Sequence, residues 1–135
     1  MPQQTDPAYA TRLSSVPEYS VGSKVRVAGR ILSYDSSNVT ILLVDGRIGI
    51  RINVSLCLAD DSHAWLSSKL AQVMIIGHLE QPDVSNMPPR TAKNGLFDVT
   101  IVQSVVMNAI LVNPVPELDI GLWNASLDEM ERVYQ

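Results

Sequence analysis

Residue types that could catalyse a reaction or hold a metal ion are few in this sequence and lie far apart. The two histidines, His63 and His78, fall in different predicted elements, and Cys57 is the single cysteine. With no C-x-x-C or H-x-x-x-H spacing, the sequence predicts no structural zinc site. Asp61, Ser62 and His63 are the residue types of a hydrolase triad, but adjacent residues cannot face one another as a triad requires. Since neither a phosphate-binding loop nor a dinucleotide fingerprint occurs, we expect no enzyme activity, metal, cofactor or small-molecule substrate.

Basic side chains gather on the outward face of the first and third predicted strands, where they could bind the phosphates of a nucleic acid. Three alternate with apolar residues in one strand, and two come from the adjacent hairpin. Single-strand binders combine a basic groove with aromatic side chains on which bases stack. Tyr34 lies nearest to the basic residues. Phe97 and Trp65 could flank the groove, but packing roles are favoured for both. The predicted nucleic-acid-binding residues are Lys24, Arg26, Arg30, Tyr34, Arg47 and Arg51. The alternative interpretation is a solvated polar face, which every half-buried strand needs.

The overall composition limits how far this row of basic residues can act alone. The 135 residues carry a formal net charge of −4 and only 5% aromatic residues. Because phosphate binding depends on lysine and arginine, we expect weak DNA affinity from the chain by itself and a role as one subunit of a complex. The hydrophobic content of 46% is typical of a folded globular domain. The apolar stretches are far shorter than the roughly 20 residues that cross a bilayer, so we expect no membrane contact.

Alternation with a period of two predicts three antiparallel strands in the first half of the chain. The first strand spans Lys24–Tyr34 and contains Gly29, where we expect a bulge or a bend. The second spans Val39–Val44. Asp45-Gly46 then predicts a two-residue hairpin turn, and the third strand runs over Arg47–Val54.

The second half of the chain is predicted to complete the sheet with two further strands. Leu58–Lys69 could hold a short helix, and Leu70–Leu79 predicts a fourth strand with a bend at Gly77. Gln81–Gly95 is predicted to be a loop because of its prolines. Leu96–Asn108 predicts the fifth strand.

This order of elements predicts an all-β domain, a five-stranded OB-fold Greek-key barrel with a C-terminal α-helix. The strand count alone also admits an SH3-like barrel. The long first strand with its glycine, and the insertion after the third strand, favour the OB-fold. We divide the chain into an extended N-terminal arm at residues 1–20, a barrel at residues 21–113 and a helical segment at residues 114–135.

The C-terminal segment changes to helical periodicity. Apolar residues recur at steps of three and four from about Glu117 to Tyr134, which predicts an amphipathic helix. Asp119 could cap its start, or Ser126 with Glu129 could form a capping box further along, so its beginning stays open. The helix could cover the barrel or pack on another subunit. Its second face is also partly apolar, which favours a partner.

Four segments occur in a characteristic order, namely Gly22–Ile31, Tyr34-Asp35, Val73–Glu80 and a terminal helix ending near Arg132–Tyr134. With them, the chain from about Val16 onward resembles the Ten-one small OB-fold subunits of the CST telomere-capping complex. It resembles the small subunit of replication protein A more distantly.

The resemblance implies a non-catalytic subunit that forms a heterodimer with a larger, Stn-one-type OB-fold protein through its barrel surface and C-terminal helix. It further implies a complex that binds single-stranded telomeric DNA and protects chromosome ends in the nucleus, with this chain binding DNA weakly or only in the complex. The partner-interface residues it implies are Ile120, Trp123, Leu127, Met130 and Tyr134.

Two other functions fit the same sequence. One is a self-sufficient module that binds single-stranded RNA or DNA through the arginine face. The other is an OB scaffold that binds only protein in genome maintenance.

Overall fold

The structure is a computed structural model, and it describes residues 7–58, 66 and 70–134, with side chains up to residue 130. The strands are β1 (Tyr9–Ala10), β2 (Lys24–Asp35), β3 (Thr40–Asp45), β4 (Ile48–Asn53), β5 (Gln72–Glu80), β6 (Thr91–Asn94), β7 (Phe97–Ile101) and β8 (Val106–Pro114). The helices whose bounds lie within the described ranges are two 3-10 helices, at Leu13–Glu18 and Ser55–Cys57, and the α-helix α1 at Ile120–Tyr134. Of the predicted short helix at Leu58–Lys69, only Leu58 and Leu66 lie within the described residues.

Five of the strands close into a barrel with the OB-fold order. β2, β3 and β4 form an antiparallel meander. β5 pairs antiparallel with both β2 and β8, and β8 pairs parallel with β4, which closes the barrel. The predicted all-β OB-fold barrel with a C-terminal helix is therefore confirmed.

The interior of the barrel is built from side chains that alternate inward along these strands. In β5, buried and less buried residues alternate without exception, as the period-two pattern predicts. Each buried Val, Ile or Leu contributes roughly 1.5–3 kcal/mol by leaving water, so the strands provide a substantial core. Among the largest fully buried side chains are Ile41, Leu43, Ile50, Ile52, Ile75 and Leu79.

The turn between β3 and β4 lies one residue further along than predicted. Asp45 still belongs to β3, where it pairs with Ile48, so Gly46 and Arg47 form the two-residue turn. Gly46 has a φ of +63°, whereas Arg47 is outside the positive-φ region. A glycine at the first turn position with positive φ is typical of a type II′ hairpin.

Irregular pairing accompanies the bends of the two long strands. The register between β5 and β8 shifts at Gly77, where a bend was expected from the sequence. A Cβ at Gly77 would lie 2.5 Å from the carbonyl oxygen of Asn108, so glycine is what allows β8 to approach. In β2 the shift lies between Ile31 and Ser33, two residues beyond the predicted position at Gly29.

The segment between β5 and β8 differs from the prediction. Gln81–Gly95 is not wholly a loop, because its last residues form β6 and pair with β7 in a hairpin. The predicted single strand Leu96–Asn108 is interrupted and contributes to two strands, β7 and β8. The hairpin packs against the outer face of the barrel, where Val44, Val99 and Ile101 form a second small core.

The N-terminal segment is packed against the barrel, which differs from the extended arm predicted for residues 1–20. β1 pairs parallel with β2, and the backbone N–H of Thr11 donates to the carbonyl oxygen of Arg26 at 3.0 Å. In the first 3-10 helix, Leu13 and Val16 are fully buried in the main core. Their spacing of three residues places both on one face of a 3-10 helix.

Helix α1 begins where one of the two predicted caps places it. The Oδ1 atom of Asp119 accepts a hydrogen bond from the backbone N–H of Leu122 at 3.0 Å, which is an N-cap contact. The alternative start at Ser126 lies inside the helix. Within the described residues, no helix is both long and apolar enough to cross a membrane.

Candidate binding surfaces

Helix α1 covers the first part of β2. The guanidinium carbon of Arg26 lies 6.0 Å from the centroid of the Trp123 ring, which is a cation–π contact. The Nε atom of Arg26 and the Nε1 atom of Trp123 are both buried and have no hydrogen-bond partner in the described part of the chain. Arg26, predicted to bind nucleic acid, and Trp123, predicted to bind a partner, therefore contact each other within one chain.

The loop between β5 and β6 covers Arg51. The Nη2 atom of Arg51 donates a hydrogen bond to the carbonyl oxygen of Asn86. Hydrogen bonds from the backbone and the hydroxyl of Ser85 lower the pKa of Asp83, and the charge of Arg51 lowers it further. The guanidinium of Arg51 thus holds this loop against β4.

Tyr34 and Lys24 are separated from the predicted row of arginines. The bulge after Ile31 inverts the faces of β2, so Tyr34 packs against the main core. Lys24 pairs with His78 on β5 and lines a different groove together with Tyr9. The six residues predicted to bind nucleic acid therefore do not form one continuous row.

Arg30 and Arg47 do come together, beside an open cavity of about 490 Å³ that we term the arginine cleft. Its walls are the β3–β4 turn, the tip of the β6–β7 hairpin and the first turns of α1. Arg30 is exposed and has no hydrogen-bond or ion-pair partner among the described residues. The guanidinium carbon of Arg47 lies 5.0 Å from the centroid of the Phe97 ring, and Phe97 is 55% exposed.

Two carboxylates near the arginine cleft already have partners. The Oδ2 atom of Asp45 accepts a hydrogen bond from Nδ2 of Asn124 at 2.7 Å, which joins β3 to α1. The Oδ1 atom of Asp98 lies 2.5 Å from Nζ of Lys93, and this hydrogen bond holds the pKa of Asp98 below its ordinary value. Lys93 offsets the charge of Asp98, whereas Asn124 is a neutral amide and leaves Asp45 charged. Arg30 and Arg47 together carry two positive charges against the one negative charge of Asp45, so the lining of the cleft stays positive.

Most of the described part of the predicted interface stripe faces the barrel of its own chain. Leu127 is 5% exposed, and Ile120 is half-buried beside the arginine cleft. Asp128 forms an ion pair with Arg12, with 2.7 Å between Oδ1 and Nη1. Together with the contact of Trp123, these interactions hold α1 against β2 and the N-terminal segment.

Two large apolar side chains are exposed in the part of α1 whose side chains are described. Leu122 is 65% exposed and Met130 is 54% exposed, so Met130 is a predicted interface residue that does reach solvent. The side chain of Tyr134 lies outside what the structure describes. Exposed methionine and leucine side chains provide surface of the kind that protein partners cover.

Two further groups stand out in the structure that the sequence interpretation did not place in a binding site. Phe97 was expected to pack in the interior, but it lies at the edge of the arginine cleft. Ile110 and Leu111 in β8 are both exposed, because the register against β5 shifts at this point. The signal in the sequence is the run Ala109–Val112, which is apolar without alternation.

Two observations concern the metal-binding and nucleophilic groups of the described residues. No set of three or more histidine, cysteine or acidic side chains lies close enough to hold a metal ion in the part of the chain that was searched. Burial raises the pKa of the Cys57 thiol, which keeps it protonated and weakly nucleophilic at neutral pH.

No protein-family model and no curated protein sequence matches this chain. Its fold is similar to a chain of the S. pombe Stn1–Ten1 complex, with a TM-score of 0.68, 18% identity and coverage of 97% of this chain and 98% of that chain. The S. pombe telomere capping protein Ten1 is similar with a TM-score of 0.65 and 17% identity, and the match covers 93% of this chain and 99% of that protein. An asparaginyl-tRNA synthetase from Entamoeba histolytica is similar with a TM-score of 0.63 and 18% identity. That match covers 87% of this chain but only 26% of the synthetase chain. At these identities the similarity establishes the fold.

Proposed function

We propose that this protein is a non-catalytic OB-fold subunit that pairs with a larger, Stn1-type OB-fold protein. The resulting complex binds single-stranded telomeric DNA and caps chromosome ends, which places the protein at telomeres in the nucleus. Its main contribution is to bind the partner, and it adds a small DNA contact of its own.

The observation that carries this proposal is the extent of the structural similarity. The barrel strands lie within residues 24–114, so a match over 97% of the chain also takes in the first 3-10 helix and α1. The matched chain is itself covered to 98%, whereas the synthetase chain is covered to 26%, as expected when one domain of a larger enzyme is shared. A chain with the same additions around the same barrel has similar surfaces to offer a partner.

The exposed side of α1 is the surface that we assign to the partner. Leu122 and Met130 provide exposed apolar area there, and Tyr134 follows at the end of the helix. Trp123 and Leu127 hold α1 on the barrel and so fix the position of this surface. Methionine and aromatic residues are enriched in protein interfaces.

Co-purification with a co-expressed Stn1-type OB-fold protein tests the proposal. Leu122→Asp combined with Met130→Asp is expected to abolish pairing, because each carboxylate would be buried without a partner. Both side chains are exposed in the single chain, so its thermal unfolding should stay unchanged. Val84→Asp is the matched control, since Val84 is 90% exposed on the loop between β5 and β6. Pairing that survives the double substitution contradicts the assignment.

A self-sufficient single-strand-binding module is the second candidate, and the open arginine cleft is what favours it. It predicts tight oligonucleotide binding by the isolated chain. A protein-only scaffold predicts no contribution to DNA binding, even in the complex. Oligonucleotide affinity measured for the chain alone, the partner alone and the complex distinguishes the three functions.

A further inference from the structure

We propose that the arginine cleft binds one nucleotide of a single-stranded nucleic acid, with a phosphate on Arg30 and Arg47 and the base against Phe97. The proposal deepens the proposed function and rests on it for the nucleic-acid strand that reaches the protein. The residues that form the cleft all belong to this chain.

The charge of the arginine cleft fits a phosphate. Arg30 is exposed and has no partner in the described part of the chain, so its donors are available to a ligand. Arginine presents a planar set of N–H donors that matches phosphate oxygens. The charge of Asp98 is offset by Lys93, and the charge of Asp45, which is held by the neutral amide of Asn124, is outweighed by the two arginines.

The shape and the aromatic edge of the cleft fit a base. Its volume of about 490 Å³ lies within the range of roughly 300–1,000 Å³ found for sites that hold one small organic molecule. Phe97 is exposed at its edge, and bases stack on such rings. Asn94 lines the same wall, and its amide can both donate to and accept from a base edge. An acidic peptide would use the arginines but would leave the aromatic ring without a matching planar group.

The remaining predicted residues explain why the contact is limited to one nucleotide. Arg26 is covered by Trp123, and Arg51 is bonded to the loop at Asn86. A phosphate track along β2 and β4 is therefore interrupted at Arg26 on the first strand and at Arg51 on the second. A short contact is consistent with a protein whose net charge is −4.

Fluorescence anisotropy with the full isolated chain and a labelled single strand of about 12 nucleotides, a length within the OB-fold range, tests the proposal. Arg30→Glu with Arg47→Glu should lower the affinity about tenfold or more and reduce the salt slope by about 0.7, which is the contribution of one phosphate contact on a single strand. Phe97→Ala should lower the affinity about fivefold or more, and Phe97→Trp should restore it.

The matched control is Lys24→Glu with Arg51→Glu, which makes the same change of charge at predicted residues outside the cleft. It should keep the salt slope and most of the affinity. Equal losses in the two double variants would mean a diffuse electrostatic surface, and an unchanged Phe97→Ala variant would mean an anion site without base recognition. Either outcome overturns the proposal, as does displacement of the strand by polyglutamate at equal concentration.

Photocross-linking of the unmodified chain to a strand containing 4-thiothymidine provides a measurement that depends on no variant. Mapping should place the cross-link on the peptide that contains Phe97, and cross-links confined to other peptides would overturn the proposal. Co-purification with the partner is recorded for every variant. Unchanged nucleotide binding in the cleft variants with intact pairing refutes the cleft alone, whereas an unmodified chain that fails to pair with the partner refutes the proposed function.

Discussion

The close approach of β5 and β8 at Gly77 allows a quantitative test of the barrel that positions α1 and the arginine cleft. A Cβ at this position would lie 2.5 Å from the carbonyl oxygen of Asn108 and 2.9 Å from Cα of Ala109. Both atoms belong to the backbone of β8, so neither can move aside by a side-chain rotation. The two strands would have to separate by several tenths of an ångström.

Gly77→Ala is therefore expected to lower the free energy of unfolding by about 2–3 kcal/mol, which is the upper part of the usual range for overpacking a core. Because β5 pairs with β2 on its other side, the strain cannot be relieved by a simple shift of β5. A loss of this size lowers the melting temperature by roughly 6–15 °C in a domain of this length.

Urea and thermal unfolding followed by circular dichroism measure this loss. Gly121→Ala is the matched control, because the same methyl group would there meet one side-chain atom, Oδ1 of the N-cap residue Asp119, at 3.3 Å, and would displace it by only a few tenths of an ångström. Alanine is favoured over glycine in a helix by about 1 kcal/mol, so the control should be neutral or stabilising. If Gly77→Ala unfolds within about 0.5 kcal/mol of the parent chain, the described approach of the strands is incorrect.

Two further predictions concern α1 and the β6–β7 hairpin. Leu127→Ala should lower the free energy of unfolding by about 2–3 kcal/mol because it leaves a cavity under α1. Leu122→Ala should change it by less than about 0.5 kcal/mol. Equal losses for the two variants in urea unfolding would contradict the described packing of the helix. The pKa of Asp98 lies below its ordinary value of 3.8, mainly through its hydrogen bond with Lys93. The stabilisation of the hairpin is therefore complete above that value and is lost as the pH falls through the lowered pKa. An NMR titration should show the pKa of Asp98 rising toward 3.8 in Lys93→Gln, and an unchanged titration would refute the pairing.

The barrel strands could be predicted because their burial has a period of two and their turns carry glycine. β5 is the clearest case, since each inward position from Val73 to Leu79 is apolar or glycine and each is buried. The β6–β7 hairpin could not be recognised in the same way. β6 consists of Thr91–Asn94, which is polar and follows the Pro88-Pro89 pair, and its pairing with β7 depends on tertiary packing against Val44.

The candidate binding surfaces were only partly predictable because a single bulge and one helix rearrange them. The extra residue between Ile31 and Ser33 moves Tyr34 to the inner side of β2, and no residue type in this stretch marks the shift. The packing of Trp123 on Arg26 requires knowledge of where α1 lies on the barrel. Arg30 and Arg47 were recognised from their residue type, but the sequence did not reveal that Phe97 would join them.

The β6–β7 hairpin has a consequence for how the domain stays in solution. Its apolar side chains pack against Leu32, Leu42 and Val44. Without the hairpin, these three residues would form an exposed hydrophobic patch on the outer face of the barrel. Trimming the segment between β5 and β8 to a short connector would therefore leave the barrel closed but prone to aggregate. The β6–β7 hairpin therefore buries an apolar surface of the barrel, and a shortened version of the domain has to retain it.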